Sequence, residues 1–151
     1  MTQEEKQLLL NDLCARLPYH VKVAIEYSEG KYTRIYDLRE IDNDDTSELR
    51  QQVTVWNYGF YSSVISYPLI NCRPYLRPLS SMTVEEKKEL NNVLEYQYYA
   101  DDSCMCEASD WLNKKMFDYR GLIQKGLAEI APEGMYELKC LPSQNEYEVI
   151  I

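Results

Sequence analysis

The sequence predicts an α+β fold in one domain: an N-terminal helix, a small antiparallel sheet of three to five strands, flat or curled like a barrel, and C-terminal helices packed on it. Three observations predict it. A helical apolar stripe opens the chain, a period-two alternation takes over from residue 20 to about 70, and a well-marked second helix start follows a proline-broken stretch. At 151 residues and 17.8 kDa the chain can bury one sizeable core. Its 45% hydrophobic and 27% charged residues are the balance of a folded chain.

The first helix is expected over residues 3–17. Thr2 and Glu5 have capping-box spacing, Leu9, Leu10, Leu13, Cys14 and Leu17 form the stripe, and Pro18 helps to stop it. Val21, Val23, Ile25 and Tyr27 then alternate with His20, Lys22, Ala24 and Glu26. That pattern describes a half-buried strand. A turn at Ser28–Lys31 and a second strand over Tyr32–Ile41 make a hairpin. Asp42–Asp45 reads as a solvated loop, because the glycine and terminal glutamate of a calcium loop are out of register. Val53–Tyr58 and Val64–Leu69 are rich in β-branched and aromatic residues and supply two more strands, with a turn candidate at Asn57–Gly59.

Residues 72–82 read as a proline loop. Pro74 and Pro78 lack amide donors and push the residue before each toward extended geometry. Thr83 and Glu86 form a second capping box, and M-T-x-E-E-K occurs both here and at the N-terminus. Helices are expected over about 84–126, one to Tyr99 and one capped by Asp101–Ser103 and running to about Met116, then a helical turn over Tyr119–Lys125 closed by Gly126. The tail, 127–151, holds a turn at Pro132–Gly134 and a late strand over Tyr147–Ile151.

Charge narrows the function classes. The net charge is −9, yet Gln51–Val84 contains no acid and carries Arg73 and Arg77, so the rest of the chain carries −11. An acidic surface repels phosphate backbones, which argues against direct nucleic-acid binding. No apolar run reaches the roughly 18 residues of a bilayer span. The acidic start does not resemble a secretion signal, and five cysteines, an odd number, suit a reducing compartment, so a cytoplasmic protein is expected. Cys104 and Cys106 are spaced for a shared zinc, but no second close pair completes a site, so neither metal nor cofactor is expected. His20 is the only histidine. A small enzyme would have to pair it with a cysteine such as Cys72, or with a carboxylate, and no local signature supports that. The fourteen tyrosines suit first a tyrosine-rich core and rim, then a protein interface, and last stacking on single-stranded bases or another ligand. Within the acid-free window, Arg73, Tyr75 and Arg77 on their preorganised proline loop are the candidate binding residues. The structural alternative has the two arginines paired with Glu85, Glu86 or Asp118 as a clasp.

The blocks RPYLRPLSSMT (Arg73–Thr83), DWLNKKMFDYRGLIQKGLA (Asp110–Ala128) and APEGMY (Ala131–Tyr136) resemble a family of short uncharacterised proteins of gut Bacteroidales genomes, prophages and mobile elements. The resemblance spans most of the chain and brings no activity with it. Some members carry histidine where this chain has Met116, which further weakens a metal site, and the tail beyond Tyr136 is longer here. The resemblance implies a bacterial host cell. The leading expectation is a non-enzymatic accessory or protein-interaction module of phage or mobile-element origin. The alternative is an acidic nucleic-acid mimic that inhibits a host nucleic-acid-binding protein, and a small enzyme comes third.

Overall fold

The structure is a computed structural model that describes residues 1–27, 32–43, 51–58, 62–99 and 107–137. Helix α1 (Gln3–Arg16) starts where its cap predicts. The Thr2 hydroxyl accepts from the Glu5 amide at 3.2 Å, and the Glu5 carboxylate accepts from the Thr2 amide at 2.8 Å. Leu9, Leu10 and Leu13 are buried, whereas Cys14, counted in the stripe, is exposed. Pro18 sits in a 3₁₀ turn, Leu17–Tyr19, that ends at His20 in the left-handed region (φ 56°).

The strands are β1 (Lys22–Tyr27), β2 (Tyr32–Asn43), β3 (Gln51–Tyr58), β4 (Ser62–Pro68), β5 (Cys72–Leu76) and β6 (Glu129–Ile130). They form one six-stranded open sheet in the order β4-β3-β2-β1-β5-β6, antiparallel except for the β5–β6 pair. The expected three to five strands become six because the proline stretch and the segment after Gly126 both join. Val21, Val23 and Ile25 point inward and are fully buried, and Ala24 on the other face is covered as well. Of the Asn57–Gly59 turn candidate, Asn57 and Tyr58 belong to β3, and Gly59 lies outside the described residues.

The sheet is open but curled. Pro68 and Cys72 are four residues apart, yet they end and begin strands four places apart in the sheet. A flat sheet would separate those strands by about 19 Å, and four extended residues reach only about 14 Å. Coiling of the sheet closes that gap. The short 3₁₀ turn Leu69–Asn71 accordingly touches both β1 and β3. A bulge between Leu38 and Glu40 bends the long strand β2 where the two halves of the sheet meet. The inner face packs Tyr36, Leu38, Val53, Val55, Cys72 and Leu76 against α1, with Leu69, Met116, Leu122 and Leu127 closing the core.

The 72–82 loop needs correcting. Its first half is β5, which uses its two sides in succession. Cys72–Pro74 pair with β1, and Tyr75 and Leu76 pair with β6. Pro74 ends the β1–β5 ladder, and beyond it the Tyr136 hydroxyl bridges the strands, accepting from the Lys22 amide and donating to the Tyr75 carbonyl, each at 2.9 Å. Burial pushes the Tyr136 phenol well above its usual range.

Helix α2 (Val84–Tyr99) follows its predicted cap, with Thr83 Oγ1 accepting from the Glu86 amide at 3.1 Å and Glu86 reaching back at 2.9 Å. Helix α3 (Glu107–Lys114) stops short of the expected Met116, which adopts a left-handed backbone (φ 62°) no helix can continue through. Residues 122–126 form a turn within the helical turn expected over Tyr119–Lys125, and no α-helix extends to 126. Asp118 Oδ1 and Oδ2 accept from the amides of Leu122 and Ile123, each at 2.9 Å. The Ser28–Lys31 turn, the end of the Asp42–Asp45 loop, Asp101–Ser103, Cys104, Cys106 and Tyr147–Ile151 lie outside the described residues.

Candidate functional site

Arg73, Tyr75 and Arg77 follow the alternation of β5, with their side chains away from the core that receives Cys72, Pro74 and Leu76. Neither arginine is free. Arg77 meets Glu86 in a two-pronged pair, at 2.8 and 2.9 Å, and its guanidinium stacks 4.2 Å from the centre of the Phe117 ring. Its backbone bonds on both sides to the 116–118 segment. The Arg77 guanidinium holds the Glu86 carboxyl down to about 2, with the Thr83 amide adding to the effect. Arg77 is therefore the clasp between sheet and helix that the sequence offered as the alternative, with Glu86 as its partner. Arg73 lies between Glu26 (3.3 Å) and Glu129 (3.2 Å), and its side chain is 42% exposed. Tyr75 is half-buried, and burial with the nearby Glu129 raises its phenol.

The Cys72–His20 pairing has no geometric support. Cys72 is fully buried, and burial pushes its thiol far above the range in which a thiolate forms. His20 is exposed at the end of its turn. Among the described residues no cluster of histidine, cysteine and acid is arranged to hold a metal. The described acids are spread over α1, β1, β2, α2, α3, Asp118 and 129–137 and are not gathered on one element.

A buried polar cluster went unread in the sequence. Asp12 and Arg16, one helical turn apart on α1, are both fully buried, and two Arg16 nitrogens meet the Asp12 carboxylate at 2.8 and 2.9 Å. Arg16 also donates to the carbonyls of Asn113 and Phe117, and Arg120 donates to Asp12 and to the Asn113 side chain. The i,i+4 spacing was the available signal, but such spacing usually marks a solvated pair. These donors and acceptors satisfy one another, so the cluster fastens α1 to the 113–120 segment.

What remains open is one side of the sheet. Its two edges differ in length and chemistry. The β6 edge has two residues, carries Glu129 in an ion pair and is followed by Pro132, devices that discourage further pairing. The β4 edge has seven residues, SSVISYP, with no charge. Its ladder to β3 runs from Tyr58↔Ser62 to Gln52↔Pro68 without a bulge. Among the described residues no strand lies beyond it, so its outward amides and carbonyls form a row suited to a further strand. On the solvent face beside it, Val64, Trp56 and Ile35 are exposed, Arg39 stacks 4.6 Å over the Trp56 ring, and Thr54 and Ser66 share a 2.9 Å hydrogen bond. Two ion pairs lie on that face, Lys22 with Asp37 at 2.7 Å and Glu26 with Arg73. No helix in the described residues is long and apolar enough to cross a membrane.

No protein-family model matches this chain, and no curated protein and no solved structure is significantly similar to it.

Proposed function

We propose that this chain is a protein-interaction module of phage or mobile-element origin, acting in the bacterial cytoplasm, that engages its partner through the β4 edge and the apolar face beside it. The charge-free edge carries the reading, because natural sheets avoid leaving unpaired a seven-residue strand without lysine, bulge or interior proline, and no strand among the described residues covers this one. The family resemblance of the Arg73–Thr83 and Asp110–Ala128 blocks supports the origin. Arg73 and Arg77 serve this reading as scaffold, since each already has an acidic partner.

Recovery of partners from host lysate by the wild type, Ser66→Lys and Arg73→Ala/Arg77→Ala tests the proposal. Ser66 is exposed, so its lysine should leave the melting temperature nearly unchanged while partner recovery falls. The double arginine variant should lose stability. If it instead keeps its stability and loses the partner, the binding site belongs at Arg73, Tyr75 and Arg77.

A further inference from the structure

We infer that the β4 edge pairs with the β4 edge of a second copy of this chain, antiparallel about Ile65, joining two sheets into one continuous sheet. The inference rests on the preceding reading of β4 as the interaction edge and names its occupant.

Charge selects that occupant. Two copies of a protein with net charge −9 repel wherever their acidic surfaces meet. Strands β3 and β4, QQVTVWNY and SSVISYP, contain no charged residue, and β4 is outermost. Among the described residues, the nearest acids along the sheet, Asp37, Glu40 and Asp42, are on β2, two strands in from the edge. Across a joined β2-β3-β4-β4-β3-β2 sheet the two β2 strands would lie five spacings apart, about 24 Å. That is roughly three Debye lengths at physiological salt. By the charges of the described residues, two copies of an acidic chain can approach at the β4 edge with little repulsion.

Register follows from the strand. Full overlap of Ser62–Pro68 with its own copy places Ile65 opposite Ile65, Val64 opposite Ser66, and Ser63 opposite Tyr67. Ile65 faces the core side and is half-covered, with no strand beyond it among the described residues, while Val64 and Ser66 face solvent. Pairing covers Ile65 and leaves Pro68, which has no amide to donate, at the end of the new ladder. An isologous contact of this kind closes as a dimer and cannot extend into a fibre through the same edge.

Sedimentation of the full chain over a concentration series is the primary measurement, with hydrogen exchange of the β4 amides alongside it. The wild type should form a dimer, and β4 protection should rise with protein concentration. In Val64→Lys/Ser66→Lys, each lysine lies opposite a lysine of the second copy, and dimerisation should weaken about tenfold or more. Val64→Lys/Ser66→Glu carries the same first change but sets lysine opposite glutamate, and should dimerise to within about threefold of wild type. Equal melting temperatures of the two variants at a dilution where both are monomeric exclude simple unfolding as the cause. A wild type that stays monomeric with bare β4 amides overturns the second copy as occupant. A monomer with protected β4 amides overturns it too, and assigns the edge to another segment of the same chain. If such a monomer still loses its lysate partner on Ser66→Lys, the interaction reading survives without the dimer. If no partner depends on Ser66, both fail. Equal dimerisation of all three proteins removes β4 from the interface.

Discussion

Helices α1 and α2 begin with the same six-residue pattern, M-T-x-E-E-K, and with the same reciprocal capping box, and then meet opposite fates. Helix α1 buries Leu9, Leu10 and Leu13 and sinks an ion pair into the core. Helix α2 has no buried described side chain, and Leu94 and Tyr96 are exposed. It is fastened at its start by Arg77–Glu86 and farther along by Lys115–Glu89 at 3.3 Å. A cap decides where a helix starts. The residues after the cap decide whether the helix contributes a core or only a surface.

The widest gap between the two helices should come from Asp12. Asp12→Ala leaves Arg16 buried without its carboxylate and should cost about 3 to 5 kcal/mol in urea unfolding. A loss under about 1 kcal/mol would mean that water reaches the cluster. Leu13→Ala empties a fully buried site, with an expected cost of about 2 to 5 kcal/mol. Thr2→Ala and Thr83→Ala should each cost about 0.5 to 2 kcal/mol, because the cap geometry is the same in both helices. Unequal losses would show that an unburied helix can fray without unfolding the rest.

Acid sharpens the contrast at α2. Glu86 titrates below the usual carboxylate range in the folded chain, so its pair with Arg77 stabilises fully near neutral pH. That contribution should fade as the pH falls from roughly 5 to 2. The difference in urea midpoint between wild type and Glu86→Gln should therefore close over that window, and a constant gap would mean that the Arg77 pair is not what stabilises. The smallest effect belongs to Leu94→Ala, within about 0.5 kcal/mol of wild type by thermal melting. A larger loss would show that Leu94 is covered in solution.

The buried pair Asp12–Arg16 marks the limit of reading along the chain. Its spacing is plain, but only the approach of Asn113, Phe117 and Arg120, about a hundred residues later, makes burial tolerable. Pro74 shows the same limit in a strand. Its missing amide reads as a loop, and β5 forms because its pairing changes sides just after the proline. For the candidate site, the acid-free window was visible and Arg73, Tyr75 and Arg77 stood out as its only cations and a neighbouring aromatic. The glutamates that occupy those cations come from β1, α2 and β6, which the sequence does not bring together.

Local chemistry by itself determined both helix starts, the inward row Val21, Val23 and Ile25, and the β-branched strands of the acid-free window, because caps and side-chain periodicity act between near neighbours. Tertiary structure alone decided the order of the strands, and hence that β4 lies at an edge while β5 is paired on both sides. It also decided that α2 stays outside the core. Those outcomes depend on which distant surfaces meet, and in this chain the coil of the sheet lets the four residues from Pro68 to Cys72 join β4 to β5.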